Sequence, residues 1–352
     1  MHRPTFIFLA LRIVLGTFIV ISRENWFIIW TGLELRTLAL IPVLCANFTP
    51  RKVEAAVKYF LIQAVSAALI LKSALINAWF FGSWSILCST KPVRTISLSI
   101  ALAFKIGLAP CHFWFPDVLQ GLPFIQGLII STWQKIAPLI LLFSFSSLVE
   151  SNLLILAGLI SVIVGGWGGL NQTQIRKILA FSSIGHMGWI TITSFYSIKI
   201  ALIMLFLYLI IKTTIFLLAE HLKIFTLGHL KVTSYLSPKT PALVITTILS
   251  LGGLPPLTGF MIKFLSLSTL IKEKFILLSS LLILGRLLSL FFYLRVAFKT
   301  RLSLFPQHIL TLSSWRKKAR KIKFPLKTWF LSLVFVISTI GLPIIPPLYI
   351  NI

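Results

Sequence analysis

Apolar residues occur along this chain in long unbroken blocks. Leucine, isoleucine, phenylalanine and alanine fill stretches of about twenty residues, the length that crosses a hydrocarbon layer of about 30 Å. About eleven such blocks are predicted, near 4–21, 25–45, 54–81, 95–111, 122–147, 152–170, 175–197, 199–220, 241–271, 275–298 and 326–349. They lack the in-out alternation of a barrel strand, and lipid tolerates no unpaired backbone, so each is expected to be a helix. Connections are short and marked by Pro, Asn or Ser, as at 47–51 and 89–94. The expected fold is all-α, a polytopic bundle of about eleven transmembrane helices forming a single integral membrane domain over 1–352. One long connection, 299–325, precedes the last helix and carries WRKKARKIK at 315–323, a basic interfacial segment facing lipid headgroups.

Two blocks break their own pattern, near 103–122 and 249–271. AFKIGLAPCHFWFPDVLQGL places Lys105 in an apolar run and interrupts it at Gly107 and Pro110; LSLGGLPPLTGFMIKFL does the same with Gly253, Pro255 and Pro256 before Lys263. Proline removes an amide donor and glycine lets the backbone unwind, so both segments are expected to be discontinuous helices that release carbonyls at membrane depth. Lys105 precedes its break and Lys263 follows its own, so a strict inverted repeat is not implied.

Composition excludes a soluble globular protein: the 352 residues are 57% hydrophobic and 11% charged, with mean hydropathy +0.98. Thirty-three Lys and Arg stand against seven Asp and Glu. The cations are scattered between apolar spans and form no single basic face, which points away from nucleic acid and toward anionic lipid, such as cardiolipin, and acidic neighbours. Cys45, Cys88 and Cys111 stand apart and form no CxxC pair, so neither a zinc site nor an iron-sulfur cluster is expected. No signal-peptide cleavage site follows the first block. Loops on the N-terminal side of the membrane carry sixteen cations and loops on the other side six, Arg94 among them. By the positive-inside rule the N-terminus faces the negative compartment and the C-terminus the opposite one.

The cations left within spans are where function is expected, because a charge at bilayer depth costs at least about 2.5 kcal/mol and usually lines a wet path or pairs. Glu34, Lys105, Lys135 and Lys263 are the leading candidates. Lys212 and Arg286 sit as deep, either in an internal ion pair or on a path. His112 and His186 could shuttle protons, though a histidine among aromatic residues is more often a packing group. Lys72, Arg12 and Arg295 are long enough to snorkel. Glu54 and Lys58, four apart, are expected to pair; Asp117 ends or caps a helix near the surface. The glycines of GGWGG, 165–169, fit close helix packing.

The strings GLELRTLALIPVL (32–44), PRKVEAAVKYFLIQA (50–64), LAFKIGLAPCHFWFPDVLQGL (102–122), TWQKIAPL (132–139), VGGWGGLNQTQIRKILAFSSIGHMGW (164–189) and GGLPPLTGFMIK (252–263) are together highly specific. Over about 26–300 the chain resembles the subunit 2 family of mitochondrial NADH dehydrogenase, respiratory complex I, within its antiporter-like, proton-pumping group. The resemblance implies the mitochondrial inner membrane, an N-terminus in the matrix and a C-terminus in the intermembrane space. It also implies other membrane subunits of complex I as partners and a polar axis of Glu34, Lys105, Lys135 and Lys263. Arg36 departs from the family, which commonly has a neutral polar residue there; from its helical position it is expected to face another neighbour than Glu34. Asp117 stands where Glu is common, and Lys72 is additional.

The mechanism expected from this resemblance makes Lys135 the central proton carrier and Glu34 its paired carboxylate, with Lys105 modulating Lys135 and Lys263 leading to the outlet. No electron transfer is expected on the chain itself: NADH, FMN, the iron-sulfur clusters and ubiquinone belong to partner subunits. Two rival functions stand beside this one: a free-standing cation/proton antiporter, and a structural membrane subunit with no proton path of its own.

Overall fold

A computed structural model describes residues 3–22, 25–46, 48–82, 84, 92–146, 149–228, 239–255, 257–302 and 335–336. The described residues are helical apart from short turns and one isolated antiparallel bridge between Gln174 and Thr226. Pro256, Cys88, most of the 299–325 connection and nearly all of the block at 326–349 lie outside the described residues.

The helices follow the apolar blocks. They are α1 (Arg3–Ser22), α2 (Trp26–Leu44), α3 (Pro50–Phe81), α4 (Pro92–Ile106), α5 (Trp114–Gly121), α6 (Phe124–Ser131), α7 (Trp133–Ser144), α8 (Ser151–Leu170), α9 (Ile175–Tyr196), α10 (Ile198–Leu222), α11 (Lys239–Gly252), α12 (Thr258–Lys272) and α13 (Ile276–Leu302). Local chemistry sets several ends. The Asn25 side chain accepts the Phe27 N–H at 3.1 Å ahead of α2, and Pro50 opens α3, where its missing donor is not needed. Eight helical stretches among the described residues are long and apolar enough to span a membrane, α6 and α7 together making one of them. Three expected spans are not among the eight. One lies outside the described residues, and the other two are the interrupted segments, in which α4, α11 and α12 are 15, 14 and 15 residues long.

Two compact units divide the chain, Met1–Val164 with Ser183–Ile198, and Gly165–Ser182 with Lys199–Ile352. In the first, α1 packs along α2, α2 and α4 pack on α3, and α7 lies against α1 and α4. Close approach is bought with glycine: a Cβ on Gly16 of α1 would stand 2.8 Å from the Gly32 carbonyl of α2. In the second unit α11, α12 and α13 pack on one another. The expected packing role of GGWGG appears there, since a Cβ on Gly166 would stand 2.8 Å from Leu288 Cβ and one on Gly169 2.7 Å from the Phe292 ring.

The surface is oily and the interior carries the polar groups, the reverse of a water-soluble domain. Trp79 is 87% exposed, and Phe8, Leu11, Leu15 and Phe18 make an exposed apolar face on α1. Inside, serine and threonine hydroxyls donate to carbonyls of their own helix: Ser66 to Gln63, Ser161 to Gly158, Thr214 to Ile211 and Ser250 to Thr247, at 2.6 to 2.7 Å. The buried lysines have no such local solution.

Candidate proton-handling sites

In the first unit the chain interrupts itself after α4. Gly107 takes the left-handed conformation, φ +79°, which a residue with a side chain adopts only with strain, and the N–H groups of Gly107 and Leu108 both bond the Ala103 carbonyl at 2.9 Å. Lys105 lies on the last turn of α4 and is 3% exposed. Among the described residues its Nζ has no hydrogen-bond partner. The charges that reach it are those of Arg36 and Glu34 on α2, and Tyr59 on α3 lies in the field of the same two groups. Arg36 is buried, and its Nε and Nη1 have no acceptor among the described residues. Glu34 is half-buried and its carboxylate accepts the Thr37 hydroxyl at 3.0 Å.

Lys135, 2% exposed on α7, has its Nζ 4.1 Å from the centre of the Phe115 ring and no hydrogen-bond acceptor among the described residues. Pro138, one turn later, cannot donate to the Gln134 carbonyl. The expected pairing of Glu34 with Lys135 is not an ion pair here. Both salt bridges among the described residues belong to Lys58, which meets Glu54 at 2.7 Å and Asp117 at 3.3 Å. Asp117 therefore sits in the first turn of α5, as a helix-end acid, and also ties α5 to α3. Arg36, buried on the same helix as Glu34, is a second charge that α2 carries into this unit.

His112 and His186 are placed differently. His112 lies against Phe113 with ring centres 4.2 Å apart and the planes tilted by 34°, and has Nδ1 3.3 Å from the Pro110 carbonyl. His186 is half-buried on α9. One loop cation is misplaced by the sequence reading: Arg94 lies in the first turn of α4, buried, donating to Asn77 Oδ1 at 3.0 Å. A side chain spent on an amide inside the protein cannot count toward loop charge. Lys72 and Arg12 are exposed, as snorkelling requires.

The second unit holds Lys212, Lys263 and Arg286. Lys212 is fully buried on α10 and donates to the Leu179 carbonyl of α9 at 2.8 Å and to the Ser182 hydroxyl. At the second interruption α11 stops at Gly252, and Gly253, at φ +74°, turns the chain. Lys263, 4% exposed on α12, reaches back to the carbonyls of Leu251 at 3.0 Å and Gly252 at 3.3 Å. Arg286 on α13 donates to the Gly253 carbonyl at 2.6 Å. Gly259 makes the fit possible, because a Cβ there would fall 1.8 Å from the Ser250 carbonyl oxygen. Arg295, expected to snorkel, bonds the Leu170 carbonyl at the end of α8. Sequence alone singled out the depth of Lys212 and Arg286; their partners lie 33 residues away and leave no local mark.

Residues 23–289 match the family described as NADH:quinone oxidoreductase/Mrp antiporter, TM, and residues 290–349 match the NADH dehydrogenase subunit 2 C-terminus. NADH-ubiquinone oxidoreductase chain 2 of Paracentrotus lividus is 62% identical over 352 residues, the whole of both chains. The protein of that name from Patiria pectinifera is 48% identical over 347 residues, 98% of each. Among solved structures, a chain of respiratory complex I from Thermus thermophilus superposes with a TM-score of 0.78 at 25% identity, covering 96% of this chain and 79% of that one. A chain of the Mrp complex from Dietzia shares the fold, with a TM-score of 0.77 at 16% identity over 85% of this chain and 60% of that one.

Proposed function

Because the chain belongs to the NADH dehydrogenase subunit 2 family, within the NADH:quinone oxidoreductase/Mrp antiporter group, we propose that its buried lysines exchange protons along a path through the membrane. The chain is an antiporter-like, multi-pass membrane subunit of complex I, and its likeness to NADH-ubiquinone oxidoreductase chain 2 supports a location in the mitochondrial inner membrane. In this reading Lys135 is the carrier. It takes a proton onto its amine and passes it on, while the field at Lys105, made by Arg36 and Glu34, sets how strongly the first unit favours a further positive charge. Lys263, held on the open end of α11, serves the outlet in the second unit.

The observation that carries this reading is the state of Lys105 and Lys135. Both are buried, and among the described residues neither Nζ meets a hydrogen-bond acceptor or a carboxylate at ion-pair distance. A purely structural buried lysine is normally pinned by such a partner, because an uncompensated buried charge is costly. An amine without one can change protonation while breaking no bond. The N-terminus faces the matrix and the C-terminus the intermembrane space, a direction supported by the loop cations even with Arg94 withdrawn from the smaller set. Redox chemistry and its cofactors reside on partner subunits, and cardiolipin is the anionic lipid that suits the basic loops.

The test is Lys135→Met in the assembled complex, with protons translocated per electron as the readout. The ratio is expected to fall while electron transfer continues; an unchanged ratio removes Lys135 from the path.

A further inference from the structure

The open end of α11 holds two cations side by side. The C-terminus of a helix carries a partial negative charge and unpaired carbonyls, so a single ammonium there is favourable. Lys263 supplies it, donating to Leu251 and Gly252. Arg286 takes the next carbonyl, Gly253, and its guanidinium also lies 5.4 Å from the centre of the Phe260 ring. The two side chains converge on one residue: a Cβ on Gly253 would be 3.2 Å from Lys263 Cδ and 3.5 Å from Arg286 Nη2. Among the described residues neither cation is in a salt bridge. Among the described residues the ionisable groups brought to this point are Arg286 and Tyr293, both on α13, with Tyr293 packed on Gly252; residues 243–252 of α11 contain none, and Lys272 is at the far end of α12.

The two cations differ in one chemical respect. A guanidinium keeps its proton at any pH a cell offers, whereas an ammonium withdrawn from water can give its proton up. We propose that Arg286 is a positioning residue for proton exchange at Lys263: its permanent charge holds the carbonyl end of α11 and opposes a second charge beside it, so Lys263 releases its proton more readily than it would alone. When Lys263 is neutral, Arg286 still satisfies the Gly253 carbonyl and the break keeps its shape. When the proton returns, Lys263 regains charge-assisted bonds to Leu251 and Gly252. The inference rests on the reading of Lys263 as a proton-exchanging group.

The experiment compares Arg286→Gln, Arg286→Lys and Lys263→Met in the complex reconstituted in proteoliposomes, with protons translocated per electron followed against pH. Gln keeps a donor for Gly253 and removes the charge; Lys keeps the charge and removes the fork. Arg286→Gln is expected to move the pH of half-maximal translocation upward by about one unit, tenfold in proton concentration, and Arg286→Lys to leave it in place. A Gln variant with the unaltered midpoint overturns the proposal, as does a Lys variant displaced as far as the Gln variant. If Arg286→Gln does not assemble, Arg286→Met serves as the charge-free variant: a midpoint moved upward supports the proposal and an unaltered one overturns it. Lys263→Met judges the underlying reading separately. An unchanged ratio and profile there removes Lys263 from the path, and the role of Arg286 falls with it. A lowered ratio there with no shift in Arg286→Gln sinks the Arg286 proposal alone.

Discussion

The two interrupted segments, 106–114 and 252–258, use the same ingredients and arrive at opposite arrangements. Each has a left-handed glycine and a proline, with a buried lysine on a flanking helix. Yet Lys263 is bonded to the carbonyls its break releases, and Lys105 reaches no acceptor among the described residues. The order of lysine and break explains this. Side chains on a helix lean toward its N-terminus, so a lysine after the break leans back onto the open carbonyls, and a lysine before it leans away. Each lysine then meets a different source of charge: Arg286 on a packed helix for Lys263, and Arg36 with Glu34 for Lys105.

The largest expected effect separates the two breaks by space. Gly259→Ala would drive a methyl group to 1.8 Å from a backbone oxygen that cannot yield, a penalty of roughly 3 kcal/mol or more, and little assembled complex should survive on native gels. Gly107→Ala meets its nearest neighbour, Trp114, only at 3.5 Å, so it pays just the left-handed backbone penalty of about 1–2 kcal/mol. That complex should assemble with a lowered melting temperature. If the two alanine variants behave alike, the breaks are not built as differently as their contacts imply.

Next comes the pair Lys263→Met and Lys105→Met. The first leaves the Leu251 and Gly252 carbonyls without their donor, worth about 1–3 kcal/mol. The second removes no hydrogen bond among the described residues and relieves a buried charge, so the thermal stability of the complex should hold or rise. Equal destabilisation by both would erase the distinction between a bonded and an unbonded lysine. The smallest effect belongs to Asp117→Asn. It weakens an exposed contact of Lys58, which keeps Glu54, and the melting temperature should barely move, less still at high salt.

What could be read from the sequence follows from how local each interaction is. The spans were visible because twenty apolar residues in a row have one physical outcome in lipid, and the Glu54–Lys58 pair because positions four apart share a helix face. The breaks were visible as Gly107, Pro110, Gly253 and Pro255. Which groups meet across helices was not. Arg94 looked like loop charge because its partner Asn77 is 17 residues back on another helix. Glu34 and Lys135 form no direct ion pair among the described residues, and nothing local to either one says which groups the packing of α2, α3 and α4 sets beside it. Arg286 was seen to be deep, but nothing near it in the chain points to the carbonyl of Gly253.

The hydroxyls bonded back onto their own helices have a consequence for sequence drift. Ser66, Ser161, Thr214 and Ser250 spend their donors within one turn, so they tie no helix to another. Exchange of such a residue for alanine removes donor and need together and breaks no hydrogen bond between helices. The glycines at the crossings have no such latitude, since their role is the absence of an atom. Hydroxyls of this kind can therefore turn apolar one at a time, whereas Ser182, which also accepts Lys212, and Gly16, Gly166 and Gly259, which leave no room for a methyl group, have no such freedom.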